Sequence, residues 1–224
     1  MTRKWMLTAR KWMLTALAIL ILVACGQFPR DPRKSLEEAS GNILVVGVSE
    51  SYPWVVKTGG EPAGVEPELV RRFADSIEAD IEWKWGAPRD HYAALEQYDL
   101  HLAITGLTKA SPWSKHLGVS QPYHESHIVV ARPPDQEPAE EIDGLKVLVP
   151  ESGAYAGWVR EHDGVPVPAG QLSRADALVA IDDWRVEELG LMPTGIILHK
   201  HQHVIAAPPG ENALLMALEN SFEG

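Results

Sequence analysis

Ile43 to Val48 is a short, unbroken apolar run rich in β-branched residues, set between Gly41-Asn42 and Ser49, and it predicts a buried strand. The polar, turn-rich stretch 49–64 that follows holds Tyr52-Pro53-Trp54 and Gly59-Gly60. From Glu66 to Glu78 the apolar residues fall at Leu69, Val70, Phe73 and Ile77, the spacing of one helical face. Glu66 and Glu68 stand in its first turn, where the helix dipole favours acids. Ile81 to Trp85 alternates apolar and polar positions, as a half-buried strand does. His91 to Tyr98 reads as a short helix and Asp99 to Ile104 as another strand. Strand, helix, strand, helix, strand predicts a parallel α/β sheet. Such sheets bind ligands at the carboxyl ends of their strands, so the loops after Val48 and Ile104 are the first candidates for a site.

The second half repeats the theme. Ile128 to Ala131 is extended and runs into Arg132-Pro133-Pro134, and the acidic, proline-rich stretch 133–141 reads as a junction. Leu145 to Val149 predicts a strand, Pro150 to Gly153 a loop, and Ala154 to Glu161 a helix. Residues 163–170 read as a proline-rich turn region, Ala177 to Ile181 as a strand, and Trp184 to Leu189 as a helical turn. His203 to Ala207 then predicts a strand and Glu211 to Phe222 a helix. Two small lobes fit this order better than one large sheet.

The first 24 of the 224 residues stand apart. Arg3, Lys4, Arg10 and Lys11 form a basic start, and Leu14 to Ala24 is almost wholly apolar. That run falls short of the roughly 20 apolar residues a membrane span needs and fits a secretory signal instead. The string RKWMLTA occurs at both 3–9 and 10–16, a local duplication or a start that belongs at Met6. Four of the 20 basic residues lie in this segment, leaving 16 against 31 acidic and a balance of −15 from residue 25 onward. Nucleic-acid affinity rests mostly on basic contacts to phosphate, so that class of partner is not expected. The single cysteine excludes an internal disulfide framework and a cysteine-based zinc finger. Residues 25–41, with Pro29, Pro32 and Gly41, read as a flexible tether, or from Lys34 to Ala39 as a short surface helix.

Two resemblances sharpen this picture. Leu22-Val23-Ala24-Cys25 resembles the lipobox of bacterial lipoproteins, which implies lipidation at Cys25 and a membrane tether. Further on come Gly64-Val65-Glu66-Pro67-Glu68-Leu69, Tyr98-Asp99-Leu100 and Thr105-Gly106-Leu107-Thr108. Val119-Ser120-Gln121-Pro122-Tyr123, Asp143-Gly144-Leu145-Lys146-Val147 and Asp176-Ala177-Leu178-Val179 follow in order. Together they resemble the family 3 extracellular solute-binding proteins, which deliver polar amino acids and similar solutes to importers.

The resemblance implies a two-lobe, type II periplasmic-binding-protein-like α/β fold, with lobe one at 42–131, lobe two at 132–198 and a return segment at 199–224. It also implies hinge closure on a ligand. The positions it carries over are the aromatic loop with Tyr52 and Trp54, and the hydrogen-bonding loop with Thr105, Gly106 and Thr108. In the second lobe they are Glu151, Ser152 and Gly153 before a helix, and Asp182 or Asp183 for a ligand ammonium. The implied partners are a small solute and an ABC permease or a sensor protein, with the chain itself a monomer.

Two departures bear on the ligand. Where the family carries an arginine that grips a ligand carboxylate through two hydrogen bonds, this chain has Trp113. The second lobe is also short. Trp54, Trp113, Trp158 and Trp184 lie near the expected loops and, with Asp182 and Asp183, read either as an aromatic cage for a cation or as packing. His199, His201 and His203 alternate and so share one strand face, which reads as a weak metal candidate or as a partly solvated strand. Glu66 and Glu68 read as first-turn helix acids. No P-loop, dinucleotide fingerprint or nucleophile elbow is present, so neither catalysis nor a cofactor is expected. The expectation is a lipid-anchored protein that clamps a small polar or cationic solute. The alternatives are an accessory or sensory lipoprotein of the same fold, and a metal-binding lipoprotein.

Overall fold

The apolar run after Gly41-Asn42 forms β1 (Ile43–Val48), an interior strand of a five-stranded sheet. In the computed structural model, which describes residues 31–151, 153–171 and 177–222, β1 pairs in parallel with β4 (Asp80–Trp85) and β5 (Leu102–Ile104). Between them lie the hairpin β2 (Val56–Thr58) and β3 (Glu61–Ala63), and the helices α2 (Val65–Ser76) and α3 (Pro88–Glu96). Two-residue strands β6 (Gly118–Val119) and β12 (Ala206–Ala207) complete the order β4-β1-β5-β12-β6, with β12 antiparallel to both neighbours.

Alternation along β1 sends Leu44, Val46 and Val48 to one face, where they pack with Phe73 of α2 and with Leu214 and Leu218 of the last helix, α5 (Asn212–Asn220). Each such side chain, fully buried, contributes about 1.5–3 kcal/mol. The other face meets α3 through Tyr92 and Leu95. Gly47 makes that approach possible, because a Cβ there would sit 2.7 Å from the His91 ring.

The second sheet has the order β11-β7-β10-β8-β9. Its strands are β7 (His124–Arg132), β8 (Lys146–Val149), β9 (Val165–Pro168), β10 (Leu178–Asp182) and β11 (Met192–His203). Ile128, Val130, Val147 and Ala180 pack beneath α4 (Tyr155–Glu161), while Leu148, Val179 and Ile181 face Val186 and Leu191. The sequence Val-Pro-Val-Pro, expected as a turn region, is β9: it lies at a sheet edge, where a residue without an N–H is tolerated. The connection from β9 to β10, both parallel to β8, spans only residues 169–177. A crossover ordinarily takes a dozen or more residues, so the shortness of the second lobe resides partly here.

Strands β7 and β11 form a long antiparallel ribbon, from His203 opposite His124 to Met192 opposite Arg132, and connect the two sheets. The stretch His203 to Ala207, expected as one strand, is divided: β11 begins at Met192 and ends at His203, and β12 holds Ala206–Ala207. At the N-terminal side, residues 35–39 of the stretch read as tether or short helix form α1 (Ser35–Ala39), which packs on α5 and β1. Both carboxylate oxygens of the buried Glu211 hold this segment, accepting from the N–H groups of Arg33 at 2.8 Å and Ser35 at 3.0 Å. Cys25 and residues 1–24 lie outside the described residues.

Candidate functional site

The loop after β1 and the loop after β10 meet. Tyr52, 64% exposed, sets its ring edge-on to Trp184 at 5.2 Å, so strand ends of the two sheets face each other. Trp184 lies on a 3-10 turn (Asp183–Arg185) directly after β10, and the Arg185 guanidinium stands 5.8 Å from its ring centre.

Trp54 is turned inward. Its ring lies 3.9 Å from the His203 imidazole and 4.9 Å from His124, where the connecting ribbon joins the first sheet. Thr105 is buried, its hydroxyl 2.7 Å from that of Tyr92. Gly106 has φ +68°, and a Cβ there would fall 2.0 Å from the Ser51 hydroxyl, so glycine is demanded twice over. Thr108 bridges to His203, and its carbonyl accepts from the Ser114 hydroxyl at 2.9 Å. Trp113, on the 3-10 turn Pro112–Lys115, lays its ring 5.2 Å from Tyr92 and so covers the Tyr92–Thr105 pair.

In the second lobe Glu151 and Gly153 are exposed just before α4, and Ser152 lies outside the described residues. Asp182 accepts from the Tyr155 hydroxyl at 2.9 Å. Asp183 is committed to structure: one oxygen accepts from the backbone N–H of His127 and faces its Nδ1, both at 3.0 Å, and the other accepts from the Trp184 N–H.

The four tryptophans do not form one cage. Trp54 belongs with His203, Trp113 with Tyr92, Trp158 with His199, and Trp184 with Tyr52. His199 stacks flat on Trp158 at 4.2 Å, and His201 meets the same ring edge-on. Among the described residues no three His, Cys, Asp or Glu side chains are grouped to hold a metal ion. His203 is buried, with Nε2 2.8 Å from the Ser126 hydroxyl, and Nδ1 without a hydrogen-bond partner among the described residues. Burial, then the neighbouring His201 and His124, push its pKa down to about 4. His201 is lowered for the same first reason.

Glu66 stands in the first turn of α2, as expected, but it is not exposed there. It is fully buried and accepts from the Tyr123 hydroxyl at 2.6 Å and the Gly106 N–H at 3.1 Å. Burial pushes its pKa up to about 7, against those hydrogen bonds. It fastens the threonine-glycine loop to the segment that leaves the first sheet. Its only sequence signal was an acid beside an otherwise apolar helix face.

Two facing α/β lobes joined by a strand ribbon, with loops opposed at their strand ends, define a two-lobe ligand-binding architecture. The family model for bacterial extracellular solute-binding proteins, family 3, matches residues 44–223, and the chain belongs to that family. Among solved structures it is similar to the L-cystine solute receptor of Neisseria gonorrhoeae in its unliganded open conformation. That match has a TM-score of 0.71 and 15% identity, over 84% of this chain and 90% of that one. It is also similar to the arginine-bound form of truncated ArgBP from T. maritima, with a TM-score of 0.54 and 18% identity over 81% and 95% of the two chains. No curated protein sequence matches. Among the described residues no helix is long and apolar enough to cross a membrane.

Proposed function

We propose that the chain is an extracytoplasmic solute-binding protein, lipidated at Cys25 after removal of residues 1–24, that closes two lobes on a small solute and presents it to an ABC importer. In this reading the lobes are residues 42–131 and 132–198, residues 199–224 return to lobe one, and the protein works as a monomer without chemistry. The observation that carries it is the opposition of Tyr52 and Trp184, which sets the strand-end loops of the two sheets face to face. Tyr52, Thr108 and Asp182 then line the solute-facing side, while Trp54, Thr105, Gly106 and Asp183 hold the loops in shape. Family membership and the cystine and arginine receptors support an amino-acid-like solute. The separation of the tryptophans disfavours a purely cationic one held in a single cage.

The test is thermal unfolding of the chain from residue 26 against amino acids, amines, quaternary ammonium compounds and organic acids. A solute at 100 times its dissociation constant adds about 2.7 kcal/mol, a shift of a few degrees. A second reading, an accessory or sensory lipoprotein with weak solute binding, draws on Trp113, which closes over Tyr92 where a carboxylate-gripping arginine is the family pattern. A cooperatively folded protein that no solute shifts selects it.

A further inference from the structure

The β8–β10 ladder stops early. The two strands pair only at Leu178 opposite Val147 and Val179 opposite Leu148. Beyond that point β10 continues to Asp182 against β7, while β8 turns with β9, Val149 opposite Pro168. The strands therefore splay at their carboxyl ends, and a cavity of about 230 Å³ occupies the wedge. Leu148, Val179, Ile181 and Leu189 supply apolar wall, and Tyr155, Asp182 and Arg185, all half-buried, supply the polar groups. The volume exceeds the roughly 150 Å³ of an apolar cavity that takes up a benzene-sized guest.

Arg185 is the second observation. Among the described residues its guanidinium makes no hydrogen bond or ion pair, and it is positioned over Trp184, the ring that meets Tyr52. A guanidinium beside an apolar cavity, with Asp182 lining the same space, presents a carboxylate-binding fork, an ammonium-binding acid and a room for hydrocarbon together.

We propose that this wedge is a solute subsite in the second lobe, taking the apolar side chain of an α-amino acid while Arg185 holds its carboxylate and Asp182 its ammonium. Arg185 thereby supplies from lobe two the fork that lobe one lacks at Trp113. The proposal rests on the solute-binding reading and narrows it to apolar amino acids.

The probes are L-leucine, L-phenylalanine, L-glutamine, leucine amide and hexanoate, titrated calorimetrically into the chain from residue 26, which retains every described residue. L-leucine or L-phenylalanine is expected to bind tightest, with leucine amide weaker by about ten- to a hundredfold through loss of the charged hydrogen bonds. Arg185→Met is expected to lose the same factor for L-leucine and little for leucine amide. Ala169→Trp fills the cavity from an exposed position, so the fold is kept, and is expected to abolish L-leucine binding. Equal binding of L-glutamine and L-leucine, or L-leucine binding unchanged in both variants, overturns the wedge and leaves the clamp reading standing. A wild-type protein that binds none of the five overturns the proposal. If the wider solute panel also fails, the clamp reading falls with it.

Discussion

Tyr123 donates its hydroxyl to Glu66 across 2.6 Å, joining the start of the connecting ribbon to the first turn of α2. The same carboxylate accepts from Gly106, so one buried acid fixes three segments. Its pKa is about 7 when folded against an ordinary 4.5, an acid raised by burial. Such a group gives its full stability below the ordinary value and loses it as pH rises to the folded value. Across that window the loss is on the order of 3 kcal/mol. Glu66→Gln is expected to begin about 1 kcal/mol less stable in acid, because an amide N–H cannot accept from Gly106. It then gains on the wild type as pH rises through the window. Urea unfolding at stepped pH checks this, and a pH-independent difference refutes it.

His203 runs the opposite way. Its folded pKa of about 4 lies below the ordinary 6.5, so its contribution is complete above 6.5 and is lost as pH falls towards 4. His203→Gln is expected to remove that acid sensitivity. The slopes of Glu66 and His203 oppose one another over their shared range, so each single variant should show a steeper pH dependence than the wild type. Parallel stability curves for all three proteins would contradict this.

Gly106→Ala combines a left-handed backbone with a collision against Ser51. A loss of about 1–3 kcal/mol is expected. Adding Ser51→Gly should recover the steric part and leave the conformational part. Denaturant midpoints of the single and double variants separate the two, and no recovery would place the whole cost in the backbone.

Glu211→Ala removes the acceptor of two N–H groups 178 and 176 positions away. The expected result is early hydrogen exchange at Arg33 and Ser35 with a global loss of about 1–2 kcal/mol. Unchanged protection at those amides would show that α1 is held by its apolar packing alone.

The elements governed by local periodicity were legible in the chain. The β-branched run of β1 and the Leu69, Val70, Phe73 face of α2 need only their own residues to declare themselves. What was illegible depends on partners far away. Glu66 reads only as a first-turn helix acid until Tyr123 and Gly106 close over it, and Asp183 reads as a ligand acid until His127 claims it. β9 hides behind its prolines because edge position is a property of the sheet, not of the segment. Strands of two residues, β6 and β12, are too short to show any period. Arg185 carried no motif at all; its interest arises from the splay of two strands beside it.

The close, tilted contact of Trp54 with His203 has a mechanical consequence. The ribbon's last pair, His203 with His124, lies where the second sheet gives way to the first, and Thr108 bridges to the same histidine. The two loops expected to feel a solute are therefore tied to the ribbon that connects the two sheets. In the closing motion proposed above, load on either loop would reach that ribbon as torque directly, with no relay of intervening side chains required.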